Sequence, residues 1–229
     1  MDEIVIKSLS QYIDEITGFS DVFFYRGINN MDYSLIPSAG RFGINDEKVQ
    51  KQFERSMIDD FKRKAPIYVD KNPVNDLEWM ILAQHHGIPT RLMDWSFNPM
   101  VALFFAVENN IDADCCIYQS YLNSGLTEVT SFDIIFSDNK FFPIIPNYTH
   151  KRYSNQESLF TLHAHPSTPD FSRIHKKYII EKKDKDIIRW KLRRMGITKS
   201  FIYPNLDSLS YDILEINKLS YAGYLFMNK

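Results

Sequence analysis

The chain is 229 residues long with a mass of 27.0 kDa, which at about 150 residues per domain lies between one and two average domains and allows a single large one. With 44% hydrophobic residues, 14% aromatics and only 8 Gly and 10 Pro, it can bury a core, which excludes collagen-like and disordered chains. Its 27 Lys and Arg nearly balance 29 Asp and Glu, so the molecule as a whole is neither a polybasic nucleic-acid binder nor an acidic mimic of one, and a charged partner has to be met by a local patch.

Asp2 and Glu3 open the chain, and no apolar run of signal-peptide length follows them. Ile6, Leu9, Ile13 and Ile16 recur at spacings of three and four and predict an amphipathic helix within residues 1–20. Residues 22–26 are β-branched and aromatic and predict a strand that Gly27 ends. Val49, Phe53, Met57 and Phe61 fall every fourth residue and predict a helix that buries them. Asp76 is the expected N-cap of a helix over 77–86, with Gly87 at its C-terminus and Pro89 forbidding continuation. Residues 90–95 then read as a short buried strand, and Asn98 with Pro99 starts a helix that is apolar on every side. That apolar run, 100–107, is too short to span a bilayer.

Cys115 and Cys116 are the only cysteines and are neighbours, so they form no disulfide framework and no paired zinc-knuckle spacing. A reducing, cytoplasmic location without a membrane partner is therefore expected. CCIYQSY, LTEVTSFDIIF and SLFTLH read as strands, as does KYIIE further on. Helices are expected over 186–195, stopped by Gly196, and after Asp207, where Leu209, Ile213 and Ile216 would form the buried stripe. Strands and helices are grouped rather than strictly alternating, which predicts one α+β domain with a mixed or antiparallel β core flanked by helices.

Several side chains are candidates for chemistry. Arg26 ends a core strand, and Gly27 after it would let a ligand approach the backbone, so the guanidinium either holds a phosphate or carboxylate or pairs with a buried Asp. In AQHHGIPTRLMDW, a helix end and a tight turn bring His85, His86, Thr90, Arg91 and Asp94 together. His86 suits the helix dipole, and Arg91 is expected to form a buried ion pair with Asp94, while His85 and Thr90 remain open to ligand binding. A metal reading would use His85 or His86 with Asp94, His163 and His165, the last two sharing a strand face, but no spacing fixes a known ligand geometry and no metal is expected. A G-x-S-x-G elbow is lacking, and the two cysteines sit in an apolar strand where thiols are inert.

Four blocks, FFYRG, AQHHGIPTRLMDW, NPMVALFFA and RYSNQESLFTLH, together with RRMGITKSFIYPNLDSL near the end, resemble the FRG domain, a module of bacterial and phage-type proteins. The likeness runs over 22–209 and implies a single FRG-type domain, with residues 1–20 as an N-terminal helix and 210–229 as a C-terminal helix and tail. It also implies a toxin or defence setting. The order of the blocks is similar to that of ADP-ribosyltransferases, in which a first-strand Arg binds NAD, a hydroxyl-bearing strand leads into an x-x-Ala-Leu-x-Phe-Ala helix, and a later strand presents a Glu. On that likeness NAD is the implied co-substrate, bound by Arg26, Gly27, Thr90, Asp94, Ser96 and His85. Glu157 would be the carboxylate that stabilises an oxocarbenium-like ribose, with Gln156 beside it. The alternative is a non-catalytic module that binds a nucleotide or a nucleic acid. Lys185, Arg189 and Arg193 share a helix face within the basic run 176–199, which tracks a nucleic-acid backbone if it is not simply solvated.

Overall fold

In the computed structural model, residues 1–18, 22–109, 112–121, 135–136, 142–146 and 151–227 are described. The chain opens with a strand where a helix was expected: β1 is Asp2–Val5, and helix α1, Leu9–Thr17, begins after Ser8, whose side chain accepts from the Gln11 N–H. Ile6 therefore enters the core from the end of a strand, its N–H bonded to Ile179 at 2.7 Å. Strand β2 is Phe23–Ile28 and runs through Gly27 rather than stopping there. Helices α2, Glu47–Lys64, and α3, Asp76–His85, precede β3, Leu92–Ser96, and the apolar helix α4, Pro99–Val107. Then come β4, Cys115–Tyr121; β5, Phe142–Ile144; α5, Lys151–Asn155; β6, Ser158–Leu162; and β7, Ile174–Ile180. Helices α6, Lys182–Arg194, α7, Lys199–Ile202, and α8, Leu206–Met227, close the chain.

The seven strands form one mixed sheet in the order β1-β7-β4-β2-β3-β6-β5. Only β1 and β7 run parallel; the other pairs are antiparallel. This is an α+β domain. Alternation across the pleat sorts side chains to the two faces: Tyr25, Cys115 and Ile117 meet α1, α4 and α6 through Tyr12, Val101, Leu103 and Ile188, while Phe24, Cys116 and Tyr118 pack with Trp95 and Leu159 on the other side. A second helical layer, α2 and α3, covers β3, β5 and β6 through Ile58, Met80, Phe160 and Leu162. The sheet is continuous on either side of its middle, but β2 and β3 pair only at Tyr25 opposite Ser96, whereas β2 pairs with β4 from Phe23 to Ile28. Beyond Tyr25 the two halves fork.

Several local expectations are corrected by packing. Asn75, not Asp76, caps α3, its side chain accepting from the Glu78 N–H at 2.9 Å. The buried line of α2 is Gln50, Glu54 and Ile58, while Val49 is 51% exposed, because Glu54 answers a buried arginine, Arg91, just before β3. Among the residues of α8 up to 218, Ser208 and Asp212 are buried, and Leu209, Ile213 and Ile216 face outward. Asp212 accepts from the N–H groups of Lys199 and Ser200 at 3.3 and 2.7 Å, docking α8 onto the start of α7 through polar contacts. Helix α6 begins at Lys182, earlier than expected. The strand expected over LTEVTSFDIIF lies, except for Ile135 and Phe136, outside the described residues.

Candidate functional site

At the fork, a cleft of about 210 Å³ opens between the two half-sheets. Arg26 lies just past the Tyr25–Ser96 pair, and its Nη1 donates to the Asp94 carbonyl oxygen, so a side chain bridges the strands where the backbone ladder has stopped. The same Nη1 is 4.0 Å from the Asp94 carboxylate. Burial lowers the Arg26 pKa and Asp94 opposes that shift, leaving a guanidinium that is charged at any physiological pH. Its Nε is buried and has no acceptor among the described residues.

A hydrogen-bond chain orients the acid. Thr90 takes the Leu92 N–H at 3.1 Å and donates its own proton to Gln84 Oε1, which turns Gln84 Nε2 towards Asp94 Oδ2 at 2.8 Å. Thr90 is buried behind this chain, 1% exposed, and does not line the cleft, so its expected ligand contact becomes a supporting one. His85 does line it, packed edge-on against Tyr153 with ring centroids 5.5 Å apart.

The structure brings Arg26, Gly27, Asp94, Ser96, Gln156 and His85 to one cleft. It also redefines several of them. A Cβ on Gly27 would lie 1.9 Å from the Ala102 carbonyl oxygen, so the missing side chain admits the backbone of α4, not a ligand. Ser96 Oγ donates to the Gln156 carbonyl at 2.5 Å and accepts from the Asn98 N–H at 2.9 Å, stapling β3 to the start of β6. Gln156 Nε2 donates to the Ile202 carbonyl at 3.1 Å, which ties the cleft to α7. Glu157 stands beside the cleft, not in its lining, with φ of 43° and its carboxylate held by Asn98 Nδ2 at 3.0 Å.

Arg91 is not paired with Asp94. It is fully buried and meets Glu54 through two bonds, Nε to Oε2 at 2.9 Å and Nη2 to Oε1 at 3.0 Å, with a third to the Ala164 carbonyl. His163 and His165 do not share a strand face, since β6 ends at Leu162 and His163 is buried while His165 is exposed. Burial pushes the Cys115 and Cys116 thiols up to about 12 and about 11, which keeps them protonated and unreactive.

Among the lining residues that the sequence did not single out for the site are Gln84, Arg152 and Tyr153. Arg152 precedes Gln156 by one helical turn, and that spacing was the available signal. Its guanidinium sits 4.9 Å from the centroid of the Tyr203 ring and, among the described residues, has no carboxylate partner. Burial drives the Tyr153 hydroxyl up to about 12, so it stays neutral beside the two cations.

Residues 21–115 match the family model of the FRG domain. The chain carries an FRG domain. The matched segment supplies the β2 and β3 sides of the cleft, whereas Arg152, Tyr153 and Gln156 come from beyond it. Neither the curated proteins nor the solved structures give a match to the chain. No helix among the described residues is long and apolar enough to cross a membrane.

Proposed function

We propose that the FRG-domain cleft binds the phosphate-bearing part of a nucleotide, with Arg26 from β2 and Arg152 from α5 as its anion clamp. The observation that carries this reading is the buried Arg26 Nε without an acceptor. Leaving such a donor unsatisfied costs about 1–3 kcal/mol, more when it is charged, and an incoming phosphate oxygen would satisfy it. Arg152 adds a second cation, which forms no ion pair among the described residues.

NAD is the ligand to which the order of Arg26, the Asp94–Ser96 strand end and Gln156 points. Two guanidinium groups suit a diphosphate, and Tyr153 and Phe105 supply aromatic walls for a base or a nicotinamide ring. At about 210 Å³ the cleft is smaller than the roughly 300–1,000 Å³ of enclosed small-molecule sites, so part of a dinucleotide would lie inside and the rest across the open mouth.

One observation favours ADP-ribosyl transfer as a second reading. Glu157, a non-glycine residue, holds a left-handed φ of 43° at the head of β6, next to Ser96 and Gln156, and such backbone strain gathers at functional sites. In that reaction the bond from ribose C1′ to nicotinamide breaks, the electron pair leaves with nicotinamide, and the Glu157 carboxylate stabilises the positive ribose. An acceptor nucleophile then bonds to C1′ and loses its proton to solvent. A toxin or defence setting follows from the family resemblance.

Titration calorimetry with ADP-ribose and NAD, paired with measurement of nicotinamide release, tests both readings. Arg26→Ala is expected to weaken ADP-ribose binding at least tenfold, and failure of the wild-type protein to bind either ligand would sink the clamp. Release that disappears in Glu157→Gln while binding persists gives the transferase. Binding without release in the wild-type protein gives the binding module.

A further inference from the structure

The basic run near the C-terminus is mostly engaged inward. Lys185 Nζ donates to the carbonyls of Asn29 and Ala113, both at 3.2 Å, and Arg189 Nε donates to the Val107 carbonyl at 2.6 Å. Lys176, Lys177, Lys182 and Lys183 form ion pairs with Glu15, Glu3, Asp112 and Glu181. Two of the three cations expected to track a polyanion, Lys185 and Arg189, are therefore turned towards the protein.

Arg193 and Lys199 are arranged differently. Arg193 reaches the Glu215 carboxylate only at 4.0 Å. Lys199 Nζ lies 4.5 Å over the Tyr211 ring and forms no ion pair among the described residues. Both line a second cleft, of about 190 Å³, between the end of α4, helix α6 and helix α8. Its lining carries Arg189, Arg193 and Lys199 against a single acid, Glu108. That acid accepts from the Tyr203 hydroxyl at 3.1 Å, and Arg189 is paired with Asp186 at 2.9 Å outside the lining, so the positive character of the cleft rests on Arg193 and Lys199.

We propose that this second cleft binds a phosphate group between Arg193 and Lys199, with the Thr198 hydroxyl in the lining as a further donor. Phe104 and Tyr211 form apolar walls against which an attached base or sugar can pack. Tyr203 touches a lining residue of each cleft: its ring lies under Arg152, and its hydroxyl bonds Glu108. Free nucleotides and nucleic-acid chains both present the required group.

The two carriers are separated by anisotropy of a labelled short single-stranded DNA and calorimetry with AMP, on the full chain at low and moderate salt. Both are run with Arg26→Ala as the background, so that binding at the fork is weakened and the effect of each further substitution is read against it. At least one carrier is expected to bind, and Arg193→Gln and Lys199→Gln are each expected to weaken it about tenfold, a loss fitting one charge-assisted contact. For DNA the slope of log affinity against log salt should fall by about one per lost contact. Tighter DNA binding identifies a nucleic-acid chain as the source, and equal AMP binding identifies a mononucleotide. No binding of either at low salt, or Lys199→Gln binding as tightly as its background, overturns the proposal. Lys199 is a half-buried surface residue, so the test stands even if Arg193→Gln folds poorly.

Discussion

Arg91 is fully buried and Arg26 half-buried, both near one strand, yet they do opposite things. Arg91 is fully matched by a two-point pair with Glu54 and a backbone carbonyl, whereas Arg26 keeps one donor unanswered at a cleft. Arg91→Met leaves the Glu54 charge buried without its partner and is expected to lower stability by about 3–5 kcal/mol in urea unfolding. The double change Arg91→Met with Glu54→Leu should recover most of that loss. His163 belongs to another buried polar chain: Trp95 Nε1 donates to Thr161 Oγ1 at 2.8 Å, and Thr161 Oγ1 and His163 Nε2 share a hydrogen bond at 2.8 Å. Burial lowers the His163 pKa from 6.5 to about 4, so the folded ring stays neutral where the unfolded ring is protonated. The unfolded chain therefore binds more protons between those values, and stability present above pH 6.5 is lost as pH falls towards 4, by up to about 3 kcal/mol. Unfolding curves at pH 7.5 and 4.5 measure this, and His163→Gln should flatten the dependence; an unchanged slope would contradict the assignment.

At the level of elements, the cleft exists because two packing demands meet at β2. Its Gly27 lets α4 press flush against the strand, with Ala102 and Ala106 backbone atoms where a side chain would be, while the adjoining Arg26 spans the opening to β3. Gly27→Ala forces a methyl group to within 1.9 Å of the Ala102 carbonyl oxygen. It is expected to cost at least about 1–3 kcal/mol, as ordinary overpacking does, and to be read as a lower thermal midpoint. Because α4 also carries the Asn98 cap that holds Glu157, displacement of this helix should loosen the fork as well, seen as faster amide exchange at β3. A thermal midpoint equal to wild type would show that Gly27 is not the contact that seats α4.

Across the whole molecule, the segment that matches the FRG domain does not complete the cleft. Residues 21–115 hold β2, β3 and α4, but β4 needs β7 as its outer neighbour and β3 needs β6. The carboxy-terminal part also fixes the site: Asn155 and Gln156 bond the carbonyls of Phe201 and Ile202 at 2.8 and 3.1 Å. A chain cut after Tyr121 lacks β5, β6 and β7 and exposes two strand edges with their apolar faces, so it is expected to lack near-ultraviolet circular dichroism and to bind no nucleotide. A native-like spectrum from that fragment would mean that the β2–β4 half folds independently.

Local punctuation can be read directly from the residues: the Asn98–Pro99 start of α4, the stop of α3 before Gly87, the strands around Arg26 and Leu159, and the blocks that mark the FRG domain. These are legible because caps, turns and period-two alternation act between neighbours in the chain. Tertiary structure alone decided which face of α2 and α8 is buried, since Glu54 and Asp212 are polar and an apolar stripe does not reveal them. It also decided that Arg91 pairs with Glu54, that α4 fills the space at Gly27, and that Arg152 joins Arg26 at the fork. A charged side chain takes its role from the group folded opposite it, and that group lies far along the chain.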